Sequence, residues 1–488
     1  MRIKRSAETR EKWTAARGRR GWFGLLVFLA GLGLACEEPR QPPNFILITL
    51  DTTRPDHLGP YGYPGADTPN LDRFAQRAQV YERAYATSSW TLASHASILT
   101  GLLPRQHGAQ SMPAGADRSL GYGVRPLADS FHTLAEILSA AGYRTGAVVA
   151  GPALRGELGT AQGFEIYHDE LDGNDRRFHG KRAEETTDLA LGIIREFGAE
   201  PFFLFVNYFD AHAPYAPPEG FRKPAPASPQ REEESGTPVV VRFIERLEAG
   251  MPARPTGELP PDERAQLETA LAGYDAEITY LDHHLGRLLE AIDGLPAAEE
   301  SWVFVTADHG ESFGEHYFMS HGAHLYEDNV RVPLLVRTPG SRALVRLHAP
   351  VQNHALFGTI LQAAGLARPD WAQPLPSEGE GMEVVLEVHR SDSNIKIGGE
   401  FFDRDLFGLI DDSAKLIRSS RGPTELFDLE ADPEELDNLK TSQPDLHVRL
   451  EARLAELHGD RPPLYPEAKN LELRKETEES LRAMGYIE

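Results

Sequence analysis

Five short, largely apolar runs frame this chain: Asn44–Leu50, Thr145–Ala150, Phe202–Phe209, Trp302–Thr306 and Val332–Val336. Such unbroken runs suit strands buried on both faces, as in a parallel sheet. Helical patterns lie between them, and the clearest places Ile278, Leu281, Leu285, Leu288, Leu289 and Ile292 on one face. Thr68-Pro69 reads as an N-cap and first helical residue. Gly101 reads as the C-cap of a short helix over Ser94–Thr100. Strands alternating with helices predict an α/β sandwich, its large and mostly parallel sheet flanked by helices. In such sheets ligands bind beyond the carboxyl ends of the strands.

Three segments depart from this pattern. Residues 217–262 are Pro-rich, acidic at Glu232–Glu234 and weakly periodic, which reads as an insertion, either lid or solvated loop. From about residue 380 the pattern shifts to short strands and helices, so a catalytic body over 44–380 and a smaller α+β unit over 381–488 are expected. At the start, eight Lys and Arg residues crowd the first twenty positions, and an apolar run follows from Trp22 to Ala35. A basic region, a short apolar stretch and a small residue before Cys36 describe an export signal over 1–36. The run falls short of the about 20 apolar residues that span a bilayer. Cys36 is the only cysteine, and the pattern resembles a lipoprotein signal that makes it the lipidated N-terminus, with 37–43 as a tether; an uncleaved anchor is the other reading. Either places the body outside the cytoplasm, at a bacterial-type cell envelope, without an internal disulfide.

Net charge sharpens this picture. With 50 Lys and Arg against 74 Asp and Glu the chain carries −24, which repels nucleic-acid phosphates and excludes that class of partner.

The chemistry-bearing residues cluster just after the predicted strands. Asp51 follows the first run, in L-D-T-T-R-P-D-H-L-G, and reads either as a cation ligand or as a turn cap. Asp308-His309 follows the fourth run, in T-A-D-H-G-E, and offers an oxygen–nitrogen pair suited to Mn²⁺ or Zn²⁺, less well to Ca²⁺ or Mg²⁺. Asp210 and His212 follow the third run, in D-A-H-A-P-Y. Two acid-bearing motifs after two buried strands point together to one divalent-cation site.

The window Ser88–Gly108, S-S-W-T-L-A-S-H-A-S-I-L-T-G-L-L-P-R-Q-H-G, resembles the sulfatase signature C-x-P-S-R-A-S-L-L-T-G. Thr91 stands where that family has its catalytic Cys or Ser, Ala93 replaces the Pro and His95 the Arg. The segment T-E-L-F-D-L-E-A-D-P-E-E-L-D-N-L at 424–439 likewise resembles the C-terminal subdomain of sulfatases. The resemblance covers nearly the whole chain from Asn44 and implies the fold of the alkaline phosphatase superfamily. It also implies a cation held by Asp51, Asp308 and His309 beside Thr91. His212 matches the family's H-x-P histidine, which binds the substrate oxyanion or protonates the leaving group, with Asp210 to orient it or add a ligand. The stretch S-H-G-A-H-L-Y-E-D-N-V-R-V-P resembles K-G-x-x-Y-E-x-x-x-R-V-P, with His321, or else His324, in place of the Lys. The family's K-x-H is missing, because Ala150-Gly151-Pro152 fills that turn, and Thr52 stands where a second acid is common.

Formylglycine forms by oxidising Cys or Ser to an aldehyde. Thr is a secondary alcohol and yields a ketone, so this chain is expected to work without formylglycine. The implied activity is a metal-dependent hydrolase of sulfate or phosphate esters on small molecules or glycans, with Thr91 as the unmodified nucleophile. A phosphodiesterase or phospho-transferase of the same superfamily is the nearest alternative. A non-catalytic metal- or anion-binding relic is the alternative of another class.

Overall fold

The computed structural model describes residues 42–111, 123–171, 180–222, 239–251, 256–377, 379–460, 464 and 473–483. The expected signal with Cys36, and the tether up to residue 41, lie outside the described residues.

Eight strands form the central sheet: β1 (Phe45–Leu50), β2 (Gln79–Tyr81), β3 (Arg144–Val149), β4 (Ile166–His168), β5 (Phe202–Tyr208), β6 (Trp302–Thr306), β7 (Leu334–Arg337) and β8 (Val345–Leu347). Their order is β8-β2-β7-β6-β1-β5-β3-β4. All neighbours are parallel except that β7 runs antiparallel to β6 and β2. The run Val332–Val336, expected as one strand, is two: Arg331–Val332 pairs with Ala84–Tyr85 in a side sheet, and β7 begins after Pro333. Proline lacks the N–H that a continuous ladder needs, so Pro333 separates the side-sheet strand from β7.

The apolar runs are unbroken because both faces of the sheet are covered. Ile46, Ile48 and Leu50 of β1 face one core, with Leu71 and Phe74 of α1 (Pro69–Ala75). Phe45 and Leu47 face the other, with Ile98 of α2 (Thr91–Thr100) and Leu134 of α3 (Leu134–Ala140). The first core also takes Ile193 and Phe197 of α4 (Ala183–Phe197). The six-residue apolar face predicted around Ile278–Ile292 is buried there as well, within α6 (Pro261–Asp293).

Thr68 precedes α1 as expected, yet its hydroxyl accepts from Gly59 N at 3.0 Å instead of capping the helix. Asp282 of α6 does the capping, accepting from Asn70 N at 3.0 Å and Leu71 N at 2.9 Å. The described part of the 217–262 insertion contains α5 (Val239–Glu248), whose buried Phe243 packs at 5.7 Å from the Tyr317 ring.

Toward the C-terminus, Ala355–Ala363 forms α7, followed by an antiparallel sheet of β9 (Val384–Val388), β10 (Leu406–Asp411), β11 (Ala414–Ser419) and β12 (Glu425–Asp428). α8 (Pro444–Asp460) covers that sheet through Leu450, Leu454 and Leu457. α9 (Lys475–Ala483) returns to the main body and buries Leu481 near Trp90 and Leu92.

Candidate active site

The register of the sheet decides what meets at its edge. Thr49 of β1 stands opposite Asn207 of β5 and Thr306 of β6, so the carboxyl ends of these three strands are level. The residues that follow them emerge together: Asp51 after β1, His212 after β5, Asp308 and His309 after β6. Helix α2 aims its first turn at the same place. It starts at Thr91, three residues before the expected Ser94, so the Thr91 hydroxyl lies at the positive end of the helix. The earlier start follows from Trp90, which takes extended φ/ψ of −134°/132° and accepts from Ser94 N at 3.0 Å.

Asp51, Asp308 and His309 are buried, and their candidate ligand atoms lie within 4.8 Å of one another. Each carboxylate is anchored by one oxygen. Asp308 Oδ1 accepts from Thr52 N at 3.2 Å and His309 N at 2.9 Å, and Asp51 Oδ2 from Asn207 Nδ2 at 3.4 Å. The other two oxygens, Asp51 Oδ1 and Asp308 Oδ2, are buried without a hydrogen-bond partner. His309 Nδ1 donates to Gly310 O at 2.9 Å, which leaves Nε2 as a lone-pair atom. That lone pair faces Asp308 Oδ2 at 3.3 Å and accepts from the Thr91 hydroxyl at 3.1 Å. Burial, and then the neighbouring Asp308, push the Asp51 carboxyl well above its usual range. Orphaned buried oxygens and a converging imidazole lone pair are what a divalent cation satisfies, so the residues present fit one.

Thr52, where a second acid is common among sulfatases, has a φ of 55°, a left-handed conformation that a β-branched residue rarely adopts. Both flanking peptide groups hold it there: its N–H donates to Asp308, and Tyr274 Oη donates to its carbonyl at 2.8 Å.

Two further imidazoles and one carboxyl complete the cluster. The His321 ring lies 4.5 Å from His309 and 4.9 Å from His212, whose own ring stacks on Phe209 at 4.3 Å. His321 Nδ1 meets Glu311 Oε1 at 3.0 Å. Burial pulls His212 down to about 3 and His321 down to about 4, so both rings are neutral at pH 7. Burial also pushes Glu311 up to about 7. Glu311 was missed in the sequence, although T-A-D-H-G-E carries it two residues beyond His309. An acid at that offset from a strand-end histidine is the signal that would have found it.

Two residues expected at the site are placed elsewhere, while His95 borders it with Nδ1 at 3.5 Å from Asp308 Oδ2. His95 belongs to α2 itself, its Nδ1 donating to Thr91 O and its Nε2 facing Thr49 Oγ1, both at 2.9 Å. One helical turn from Thr91, its ring points toward β1 of the sheet and supports the Thr91 backbone. His324 bonds to Ser312 Oγ at 2.8 Å and packs against Phe318, so His321 alone of the two reaches the cluster. Asp210 accepts from Ala183 N at 3.1 Å, beside Arg182, and burial pushes it up to about 8. It does not orient His212, whose Nδ1 donates to Ala213 O at 2.7 Å.

A family model described as Sulfatase matches residues 43–366, two thirds of the chain. The chain belongs to the sulfatase family. A second model, N-sulphoglucosamine sulphohydrolase, C-terminal, matches 314–460. Among the relatives of this sulfatase-family protein is an arylsulfatase of Clostridium perfringens, 25% identical over 457 residues, covering 82% of this chain and 91% of that one. Solved structures sharing the fold include the phosphonate monoester hydrolase of Agrobacterium radiobacter, with a TM-score of 0.67 at 20% identity, covering 86% of this chain and 96% of that one. A 2-O GAG sulfatase superposes with a TM-score of 0.67 at 19% identity, covering 86% and 93%. The family makes this protein an ester hydrolase of the sulfuric and phosphoric type. Its members use a divalent metal.

Proposed function

We propose that this protein hydrolyses phosphate or sulfate esters with the unmodified Thr91 hydroxyl as nucleophile. One observation carries the reading: the Thr91 hydroxyl sits on the first turn of α2 and contacts His309 Nε2 at 3.1 Å, beside two carboxylates with unpartnered oxygens. Asp51, Asp308 and His309 would hold the cation, with Thr91 beside it. The bound cation supplies charge that lowers the hydroxyl pKa and screens the anionic ester.

The chain's own residues do the rest. The unpaired N–H groups opening α2 face the transferred group and stabilise its oxygens. Thr91 Oγ bonds to phosphorus or sulfur while the bond to the alcohol oxygen breaks. His212 and His321, whose rings lie 4.9 Å apart beside His309, take up the hydroxyl proton and return one to the departing alkoxide. Water then attacks the same atom, releasing the anion and restoring the hydroxyl. A phosphothreonine is cleaved readily by this second in-line attack, so Thr91 suits phosphoryl esters better than sulfuryl esters.

The test is turnover of p-nitrophenyl sulfate, p-nitrophenyl phosphate and bis-p-nitrophenyl phosphate with added Mn²⁺, Zn²⁺ or Ca²⁺. Metal-dependent release from a phosphate ester, faster than from the sulfate, is expected. Failure on all three esters, with no metal found in the protein, would reduce it to a binding relic.

The donor set also points to a metal. Two carboxylates and one imidazole, with Thr52 in place of a further acid, favour Mn²⁺ or Zn²⁺ over oxygen-rich Ca²⁺. Elemental analysis of the purified protein is expected to find one of the first two. Asp308→Asn is expected to weaken metal affinity at least about ten-fold by calorimetric titration.

The chain is, in this reading, exported and held at the membrane through Cys36. No helix among the described residues is long and apolar enough to cross a membrane. Cys36→Ser is therefore expected to move the protein from the membrane to the soluble fraction on cell fractionation. Retention of the variant in the membrane would instead indicate an uncleaved anchor.

A further inference from the structure

The loop after β3 holds a guanidinium with no partner among the described residues. Arg155 is 4% exposed, its Nε is fully buried, and no described residue accepts a hydrogen bond from its side chain or pairs with it. Its backbone is fixed on both sides. Arg155 ends the turn Pro152–Leu154 by donating to Pro152 O at 3.3 Å, and it opens the turn Gly156–Leu158 by accepting from Leu158 N at 2.8 Å. The nearby carboxylates are engaged elsewhere. Glu157 accepts from Arg474 Nη2 and from Thr477 Oγ1, each at 2.6 Å. Asp169 accepts from Gly156 N at 2.8 Å and pairs with Arg474 as well. Among the described residues of a chain with 74 acids and 50 bases, this nearly buried cation thus has no counter-ion. That arrangement is unfavourable unless an anion arrives from outside.

The position of the loop says which anion. β3 is parallel to β5 and β5 to β1, so the loop leaves the sheet at the edge that carries Asp51 and His212. Its first residues lie against the site, since a Cβ on Gly151 would meet the ring of Phe209, on which His212 stacks. Its far end packs Leu158 with Trp90, Leu92 and Ala93, around the turn that bears Thr91. Arg155 thus lies on the loop that borders the site, between Gly151 and Leu158, and the groups clustered around the Thr91 hydroxyl do not include it.

We propose that Arg155 binds a second oxyanion of the substrate, a carboxylate, sulfate or phosphate that is not transferred, and so selects esters carrying more than one anionic group. This rests on the hydrolase reading above for the position of the transferred group. A planar guanidinium takes such an oxyanion through two parallel hydrogen bonds, and a nearly dry setting strengthens both.

The experiment compares wild type, Arg155→Gln and Arg155→Lys on p-nitrophenyl phosphate and on the same ester with a carboxylate on the ring. In Arg155→Gln, KM for the carboxylated ester is expected to rise about ten-fold or more, with less than about a two-fold change for the plain ester. Arg155→Lys should recover part of the difference, because it keeps the charge but not the fork. The thermal midpoint should not fall, since no native partner is lost. Equal losses on both esters, a lowered midpoint, or no change on either overturns the proposal. Calorimetric binding of p-sulfobenzoate against benzenesulfonate needs no turnover. Preferential binding of the dianion that Arg155→Gln abolishes supports Arg155 even if no ester is hydrolysed, which would count against the hydrolase reading alone. Equal binding of the two by wild type overturns it.

Discussion

Thr91→Ala is expected to lower kcat/KM for every hydrolysed ester by at least about a thousand-fold, with metal content kept. Thr91 Oγ is the one nucleophilic oxygen that combines the first turn of α2, the 3.1 Å contact to His309 and the orphaned oxygens of Asp51 and Asp308. Ser88 and Ser89 precede the helix, and the Ser89 and Ser94 hydroxyls donate to His324 O at 2.8 Å and Asp308 O at 2.6 Å. Neither substitutes for Thr91. Thr91→Ser keeps the hydroxyl and is expected to stay within about ten-fold of wild type. Mass spectrometry of acid-quenched protein should show the transferred group on the peptide containing Thr91, and on no other. Unchanged turnover in Thr91→Ala would falsify the assignment of the nucleophile while leaving the family and the metal site untouched.

Lys415→Met is expected to destabilise the folded chain by about 3–5 kcal/mol in urea unfolding at neutral pH. Lys415 of β11 is buried, with Nζ 3.0 Å from Glu327 and 2.8 Å from Glu435. Glu327 belongs to the L-Y-E-D stretch beyond the His321 loop, and Glu435 to the D-P-E-E stretch after β12. One cation therefore joins two segments more than a hundred residues apart in sequence. Burial already pushes the Glu435 carboxyl up to about 7 in spite of Lys415. Removing the cation leaves two carboxylates that ionise only at high cost. In the variant the folded chain holds protons that the unfolded chain releases near the ordinary carboxylate range. Its stability should therefore fall as pH rises through the interval from there to about 7 and beyond. Adding Glu435→Gln should recover much of the loss. A neutral-pH change under about 1 kcal/mol would refute the account, because that is the size of an exposed ion pair.

Much of the frame was legible in the chain because burial on both faces leaves a plain mark. β1, β3, β5 and β6 fall within a residue or two of the apolar runs, and the helical face around Leu285 is buried as a unit. Strand ends then located Asp51, His212, Asp308 and His309, since residues just past parallel strands share one edge. The start of α2 was less legible. Thr91 is a poor helix former, and only the extended backbone of Trp90 fixes the boundary. The side chains of His324 and Asp210 were misplaced, and the direction of His95 was not foreseen, for one reason, that sequence gives proximity along the chain but not direction around it. His95 is one helical turn from Thr91 yet points into the sheet, and His324 is three residues from His321 yet bonds to Ser312.

Alone, the sequence determined the α/β frame, the ester-hydrolase family and a threonine where the signature it resembles has Cys or Ser. A threonine cannot give the aldehyde, whatever surrounds it. Only the tertiary structure decided that Asp51, Asp308 and His309 converge with two unpartnered oxygens, that Glu311 faces His321, and that Arg155 has no counter-ion among the described residues. Each of those depends on where side chains from distant segments end up once water is removed. The free energy of a charge is set there by its three-dimensional partners and not by its neighbours in the chain.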